Sequence, residues 1–273
     1  MTRIDRRALF ASGAAAALLA ATGASLANTP KPGGTLRLAV PRDDSLEQVA
    51  RGAVFDTLTE IAPDGTLRGE LATGWQTDTD ARIWTFDLRD DAVFHDGVAL
   101  DIADVMAVLA EVGRAEALAP NRLHLELAKP NPGLPFLLAE SQFVIPRAGQ
   151  SVKPLQIANG TGCYRVERAE DDRHFLGRKV VDHYKSTQAG WADAFEIIVI
   201  PDARVRAEAL RDGYVDIAAL PSSEGLNGLR GQRLHPSESD IALAAAAHVG
   251  MPQQIGGARA LDDGRIAERW WLA

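Results

Sequence analysis

The chain contains 273 residues, of which 46% are hydrophobic and 24% are charged, and its formal net charge is −8. These fractions are typical of an ordinary globular protein, and the length allows one large domain or two small ones. The net negative charge offers no basic surface for nucleic acid or anionic lipid, so DNA binding is excluded from the expected functions.

The N-terminus has the pattern of a signal peptide, predicted here as residues 1–27. Arginines precede residue 8, residues 8–27 carry no charge, and Ser25-Leu26-Ala27 offers the small residues that a signal peptidase requires. The Arg6-Arg7 pair resembles a twin-arginine signal. Twenty uncharged residues could instead form a membrane anchor, but Ala, Gly, Ser and Thr make a poor one. We therefore expect export to the periplasm, with no stable membrane insertion after cleavage.

The first elements of the folded chain are predicted from alternation and turn residues. Residues Thr35–Val40 alternate as a strand, and Ser45 is predicted to cap a short helix that continues to about Phe55. The segment Ala62–Gly65 is predicted to be a turn, with proline at its second position.

The stretch that follows predicts a strand, a turn and a capped helix. In residues 83–88 the large apolar side chains occupy alternate positions, as in a half-buried strand, and Asp96-Gly97 favours a reverse turn. Asp101 is predicted to be an N-cap with Asp104 at N3, and apolar residues at helical spacing continue to Val112.

The remaining elements alternate between strands and helices, which predicts an α/β lobe on a mixed sheet. In order they are a strand at Leu123–Leu127, a short helix at Leu134–Ala139, a strand at Phe143–Ile145, a loop at 151–159, a hairpin formed by Cys163–Arg168 and Phe175–Val181, a strand at Glu196–Ile200, a helix at Ala203–Asp212 with Val205 and Leu210 inward, and a strand at Ile217–Leu220.

Several short segments resemble one known family in their order along the chain. They are Phe55–Leu58 with Asp64-Gly65, Leu71-Ala72 with Trp75, Trp84–Arg89, Phe94–Gly97, Asp104-Val105, Gly160–Tyr164 and Gly213–Ile217. Together they resemble the family 5 solute-binding proteins, the extracytoplasmic receptors of peptide- and nickel-type ABC importers. The resemblance extends over about residues 35–220.

The resemblance implies a fold, a domain division and a role. The fold would be an α/β lobe of the periplasmic binding protein type (class II), with a mixed β-sheet. Residues 28–61 and 155–273 would form the core subdomain and residues 62–154 an inserted subdomain. The role would be non-catalytic: presenting a small peptide or similar solute to the permease of an ABC importer.

The second lobe of such receptors is expected to be missing. Fifty-three residues follow Leu220, whereas an independent lobe needs about 100 residues to bury a core. We expect Asp262–Gly264 to be a turn and Arg265–Ala273 to be the returning strand, with Trp270 and Trp271 packed. The segment Asp240–Val249 is compatible with either a strand or a helix.

A solute site on this lobe should lie beyond the carboxyl ends of the strands, where the loops diverge at a switch point. Arg42, Asp43 and Asp44 follow the first strand and can meet a carboxylate or an ammonium group, with solvated loop charge as the alternative. Phe55 and Asp56 belong to a family-like segment, although packing explains Phe55 equally well. These five residues are the candidate ligand-binding residues.

The sequence shows no nucleophile elbow, Walker loop, HExxH or CxxC pattern, so we expect no catalysis and no cofactor. The histidines, including His95, His174 and His183, have no metal-site spacing and are expected on the surface or in turns. Cys163, which stands where the family has proline, is expected to be a buried apolar residue.

The sequence therefore predicts the substrate-binding component of a peptide- or nickel-type importer, reduced to one lobe. The alternative is a protein-interaction module, or a decayed receptor fragment, that binds a partner and no free solute. Loss of one lobe would expose an apolar face, and such patches usually mark an interface.

Overall fold

The computed structural model describes residues 29–221, 233–235, 242–252 and 265–273. The predicted signal peptide and the predicted turn at 262–264 lie outside the described residues. Within the described ranges, no helix combines the length and apolarity that are needed to cross a bilayer.

The helices are short and the strands are numerous. The helices are α1 (Ser45–Val54), α2 (Ile102–Leu109), α3 (Leu134–Leu137), α4 (Ala203–Arg211) and α5 (Ile266–Arg269). The strands are β1 (Thr35–Val40), β2 (Thr59–Ile61), β3 (Leu67–Gly69), β4 (Ala72–Thr77), β5 (Ile83–Leu88), β6 (Arg114–Ala119), β7 (Arg122–Glu126), β8 (Tyr164–Glu170), β9 (His174–Lys179), β10 (Ala194–Val199), β11 (Ile217–Leu220), β12 (Arg233–His235), β13 (Ala242–Ala245), β14 (Val249–Gly250) and β15 (Trp271–Leu272).

The larger sheet is mixed, as predicted. Its described strands follow the order β12-β13-β11-β1-β10-β9-β8. The central strand β1 runs parallel to both β10 and β11, and the outer pairings are antiparallel. The predicted hairpin is confirmed as β8 and β9, and the segment Asp240–Val249, compatible by sequence with a strand or a helix, contains strand β13.

The side chains of β1 contribute to cores on both faces of this sheet. Leu36 and Leu38 are fully buried in a core that includes α1, while Ala39 lies in a second core with Ala207 and Leu210 of α4. Since successive side chains of a strand point to opposite faces, α1 and α4 cover opposite faces of the sheet.

A second sheet, with the order β4-β5-β7-β6, has its own core. Trp84, Phe86 and Leu88 of β5 are buried, which confirms the predicted alternation. Helix α2 covers this sheet, and its predicted capping box is present: Asp101 accepts from the Ala103 N–H, and Asp104 accepts from the Asp101 N–H. The helix ends at Leu109, earlier than its apolar spacing predicted.

Three local predictions are wrong. Ser45 is the first residue of α1 and not its cap; the N-cap is Asp44, and Asp43 accepts a hydrogen bond from the Ser45 N–H. Residues 143–145 form no strand, because a 3₁₀ turn occupies Ser141–Phe143. Val205 is 46% exposed, and the buried face of α4 instead carries Arg206.

The C-terminal segment also differs from its prediction. Residues 265–273 begin with α5, and the two-residue strand β15 pairs with β14 and not with the larger sheet. The packing predicted for Trp270 and Trp271 is confirmed, since they are 2% and 3% exposed. Helix α5 packs against α1, which draws the end of the chain into the core.

Candidate functional site

The larger sheet has a topological switch point between β1 and β10. These strands are parallel neighbours, and the helices that follow them, α1 and α4, cover opposite faces. Loops that diverge in this way leave a crevice outside the carboxyl ends of the strands. Arg42, Asp43 and Asp44 follow β1 into this crevice, and Asp202, which caps α4, follows β10.

A buried arginine of α4 lies close to this edge of the sheet. Arg206 is 4% exposed, and its guanidinium donates to the carbonyl oxygens of Ala219, Ile200 and Pro201 at distances of 2.6 to 3.0 Å. Burial lowers the pKa of Arg206, and the nearby Asp43 and Asp202 oppose that shift. Arg206 is thus a buried cation whose guanidinium is held by backbone carbonyls.

A cavity of about 230 Å³ lies beside the first turn of α1. Its wall includes Leu46 and the turn residue Asp171, and Glu47 bridges Lys153 at 2.5 Å and Arg51 at 2.6 Å. Burial alone would raise the pKa of Glu47, but the two cations lower it. The cavity adds a mixed-charge wall to the carboxyl edge of the sheet.

The structure does not bring the five candidate residues into one site. Arg42, Asp43 and Asp44 are exposed at the start of α1, whereas Phe55 and Asp56 follow its end, about 15 Å away for a helix of this length. Phe55 and Asp56 are 0% exposed. Phe55 packs in the core, and the solute-binding role of the exposed trio stays a prediction.

Asp56 instead belongs to a buried ion-pair network formed by Asp56, Glu70, Lys185, Arg265 and Glu268. Glu70 lies at its centre and is paired with both Lys185 and Arg265. One carboxylate oxygen of Glu70 also accepts from the Thr57 N–H and hydroxyl, both at 2.7 Å. The network thus joins the segment after α1, the β3–β4 connection, the loop after β9 and helix α5.

The buried ion-pair network contains an excess of negative charge. Three carboxylates face two cations, and Lys185 lies 3.5 Å from Asp56 and 3.3 Å from Glu268. The Glu268 Oε1 atom is buried and has no hydrogen-bond partner among the residues that the structure describes. Burial raises the pKa of Glu268, whereas Lys185 and Arg265 hold the pKa values of Asp56 and Glu70 below their ordinary range despite burial.

The three buried carboxylates lie close enough together to consider a metal site. One oxygen each from Asp56, Glu70 and Glu268 lies within 4.8 Å of the others. Lys185 and Arg265 already neutralise these oxygens. The donor set therefore fits the protein's own cations and does not fit an added metal ion.

Cys163 and His183 lie beside the network, with 3.6 Å between the Cys163 Sγ and the His183 Nδ1. Burial raises the pKa of the Cys163 thiol well above its ordinary value, so the thiol stays protonated. The His183 Nδ1 accepts from the Lys185 N–H, and its Nε2 donates to the Thr161 carbonyl. The pair is therefore not an activated nucleophile. His183, expected on the surface or in a turn, is not on the surface, since it is 7% exposed, but its carbonyl accepts from the Ser186 N–H as in a turn.

Comparison with known proteins identifies the family. The sequence pattern of the bacterial extracellular solute-binding proteins, family 5 (its middle region), matches residues 66–241. This range is more than half of the chain, so the chain belongs to this family. Its members are non-catalytic components of transport systems.

Relatives support the same assignment. The nickel-binding periplasmic protein of Escherichia coli is 26% identical over 66% of this chain and 38% of its own length. A probable peptide ABC transporter periplasmic-binding protein of Sinorhizobium fredii is 24% identical over 88% of this chain and 54% of its own length. The chain thus spans about half of these relatives or less.

A solved structure supports the fold. The periplasmic binding protein DppA of Helicobacter pylori, in complex with the peptide STSA, superposes with a TM-score of 0.66 at 21% identity. The match covers 76% of this chain and 51% of that protein. The predicted family and the predicted mixed α/β fold of the periplasmic binding protein type are both confirmed.

Proposed function

We propose that the chain is the substrate-binding component of a peptide- or nickel-type ABC importer, exported to the periplasm by the twin-arginine route. The observation that carries the proposal is the switch-point crevice, which combines the family's fold with an open, mixed-charge rim. The Arg6-Arg7 pattern and the periplasmic relatives support the export step.

The charges of the crevice suit a solute that carries both signs, such as a short peptide. Asp43, Asp44 and Asp202 offer carboxylates to an ammonium group, and the exposed Arg42 offers a guanidinium group to a carboxylate. Each exposed pair contributes at most about 1 kcal/mol. Tight capture therefore requires a second wall over the crevice, from another chain or from a further part of this protein, in contact with the permease.

The domain division is part of the same proposal. Residues 28–61 and 155–273 form the core subdomain, and residues 62–154 form the inserted one. The separate hydrophobic cores of the two sheets support this division. The network at Glu70 and Lys185 would then be the main polar contact between the subdomains.

Calorimetric titration of the purified chain tests the proposal. Trialanine and a nickel–histidine complex are the two probes, and we expect one of them to bind. The double variant with Asp43→Asn and Asp44→Asn should weaken binding by about tenfold. It removes two exposed charge pairs with the solute, and each of them contributes up to about 1 kcal/mol. Asp90→Asn, at an exposed aspartate in the bend after β5, is the matched control and should leave binding unchanged. Flat heats with both probes, together with self-association, would favour the interaction module.

A further inference from the structure

A cavity of about 300 Å³ lies beside the buried ion-pair network and shares Lys185 and Glu268 with it. Glu60, the middle residue of β2, and Arg269 of α5 also line this cavity. The network follows the end of α1, whereas the switch-point crevice lies at the start of that helix. The cavity is therefore separate from the crevice.

The wall of this cavity has an excess of negative charge when the network behind it is included. The Glu60 carboxylate faces three cations at distances of 3.7 to 3.8 Å, namely Lys185, Arg265 and Arg269. Glu60 and Arg269 add one charge of each sign to the network, so four carboxylates face three cations among the described residues. Arg68 also lines the cavity, but Asp64 pairs with it at 3.1 Å.

Two carboxylates of the wall are incompletely satisfied. The side chain of Glu60 is 19% exposed, and its three cations lie beyond hydrogen-bond distance. The Oε1 atom of Glu268 is buried and has no hydrogen-bond partner within the described ranges. One more hydrogen-bond donor with a positive charge would balance the charges of this wall.

The N-terminal segment of the described chain reaches the same cavity. Pro30 is half-buried in the wall, although the two residues that follow it are exposed. The Gly33 N–H donates to the carbonyl of Trp191, another wall residue, at 2.8 Å. Cleavage after Ala27, as predicted for the signal peptide, leaves two residues before Pro30. These two residues span at most about 7 Å, which is comparable with the width of a cavity of this volume.

We propose that this cavity binds the α-ammonium group of Asn28, the residue that becomes the N-terminus when the signal peptide is removed. The ammonium group pairs with Glu60 and supplies the positive charge that the wall lacks. In the precursor the same nitrogen belongs to a neutral peptide group, so removal of the signal peptide completes the charge balance of the folded protein. Asn28 itself lies outside the described residues. The inference rests on the proposed export step and is independent of the solute at the switch-point crevice.

Labelling of the α-amino group with an amine-reactive reagent at a series of pH values tests this inference. The sample is the chain recovered after export, and mass spectrometry establishes where it begins. An opposite charge within about 4 to 6 Å favours the charged form, so we expect the pKa of the amino group to lie about one unit above its ordinary value of about 7.7 to 8.0. The amino group should then react about tenfold more slowly at pH 7 than that of a peptide beginning Asn-Thr-Pro.

An ordinary pKa of the Asn28 amino group would overturn the inference. A chain that retains the signal peptide, or that begins at another residue, would overturn it as well. Calorimetry of the same sample with trialanine and the nickel–histidine complex reports separately on the solute-binding proposal, so the two failures can be distinguished.

Variants identify the carboxylate that holds the amino group. Glu60→Gln removes the partner charge and should return the pKa of the amino group to its ordinary value. Glu116→Gln, at an exposed carboxylate paired with Arg114, is the control and should leave the pKa raised. A chain that begins at Ser25 keeps Glu60 but moves the ammonium group about 10 Å along the chain, so its amino group should have an ordinary pKa even if Glu60→Gln fails to fold. A raised pKa in Glu60→Gln or in the longer chain would contradict the assignment.

Discussion

The buried ion-pair network makes a sharp prediction for the variant Lys185→Met. Lys185 is 7% exposed and is paired with four carboxylates: Glu70, Asp56 at 3.5 Å, Glu268 at 3.3 Å and the half-buried Glu60 at 3.7 Å. Methionine keeps the apolar stem and removes the ammonium group. The five-residue network then has three carboxylates against Arg265 alone, so its excess of negative charge rises from one to two.

The size of the effect follows from the distances. At about 4 Å and an effective dielectric constant of about 20, a unit charge pair is worth about 4 kcal/mol. Lys185 makes four contacts of this kind, opposed by its own desolvation and by repulsion from Arg265. Removal of one partner from such a network costs about 3 to 5 kcal/mol. This is a large part of the total stability of a domain, about 5 to 15 kcal/mol.

Urea unfolding of the full chain at pH 7 measures this loss. We expect Lys185→Met to lower the free energy of unfolding by about 3 to 5 kcal/mol at an unchanged m-value. Arg114→Met, which breaks an exposed pair with Glu116, should change it by about 0.5 kcal/mol or less. A loss below about 1 kcal/mol in Lys185→Met would show that the network does not stabilise the fold. Adding Glu268→Gln to Lys185→Met should restore about 1 to 3 kcal/mol, because it removes the second excess charge.

Three further predictions follow from other parts of the structure. Asp101→Ala should cost about 0.5 to 2 kcal/mol in urea unfolding, because the capping bond to Ala103 is lost; an unchanged midpoint would contradict the capping role. Gly160→Ala should destabilise the chain strongly, since a Cβ would lie 2.1 Å from the Val54 carbonyl oxygen, whereas Gly74→Ala meets nothing within 4 Å and serves as its control. As the pH rises above about 4.5, the ordinary pKa of a glutamate, the parent should lose stability relative to Glu268→Gln. The folded state holds the Glu268 proton more tightly than the unfolded state does, and the parent loses this stabilisation as the carboxyl group is deprotonated. Equal pH dependence of the two proteins would show that the pKa of Glu268 is not raised.

The parts of the fold that were predicted correctly depend on local physics. Strand β5 follows from the alternation of Trp84, Phe86 and Leu88, and the start of α2 follows from two aspartates three residues apart. The carboxyl end of β1, where Arg42, Asp43 and Asp44 follow, is likewise defined by its sequence, whereas a solute site there stays a prediction. Chain neighbours alone determine these features.

The parts that were missed depend on contacts between distant segments. Residues 266–272 alternate as a strand would, yet α5 forms because Ile266 and Ala267 are buried against α1. Lys185 meets Glu70 across 115 residues and Arg265 meets Glu70 across 195. No local pattern marks these charges as buried, since charged residues are almost always exposed unless they are paired. The positions of the buried ion-pair network could be known only from the folded chain.

The two polar regions of the lobe therefore have different physical roles. The network lies at the end of α1, and the Glu268 carbonyl accepts from the Gly190 N–H, so the C-terminal segment is fixed within the core. The crevice lies at the start of α1, where Asp43 and Asp44 remain exposed. Because removal of one partner from a buried pair leaves an uncompensated charge and an exposed pair contributes little, substitutions at the crevice should cost little stability. Substitutions at Glu70 or Arg265 should cost much more stability, because each leaves an unmatched charge in the core.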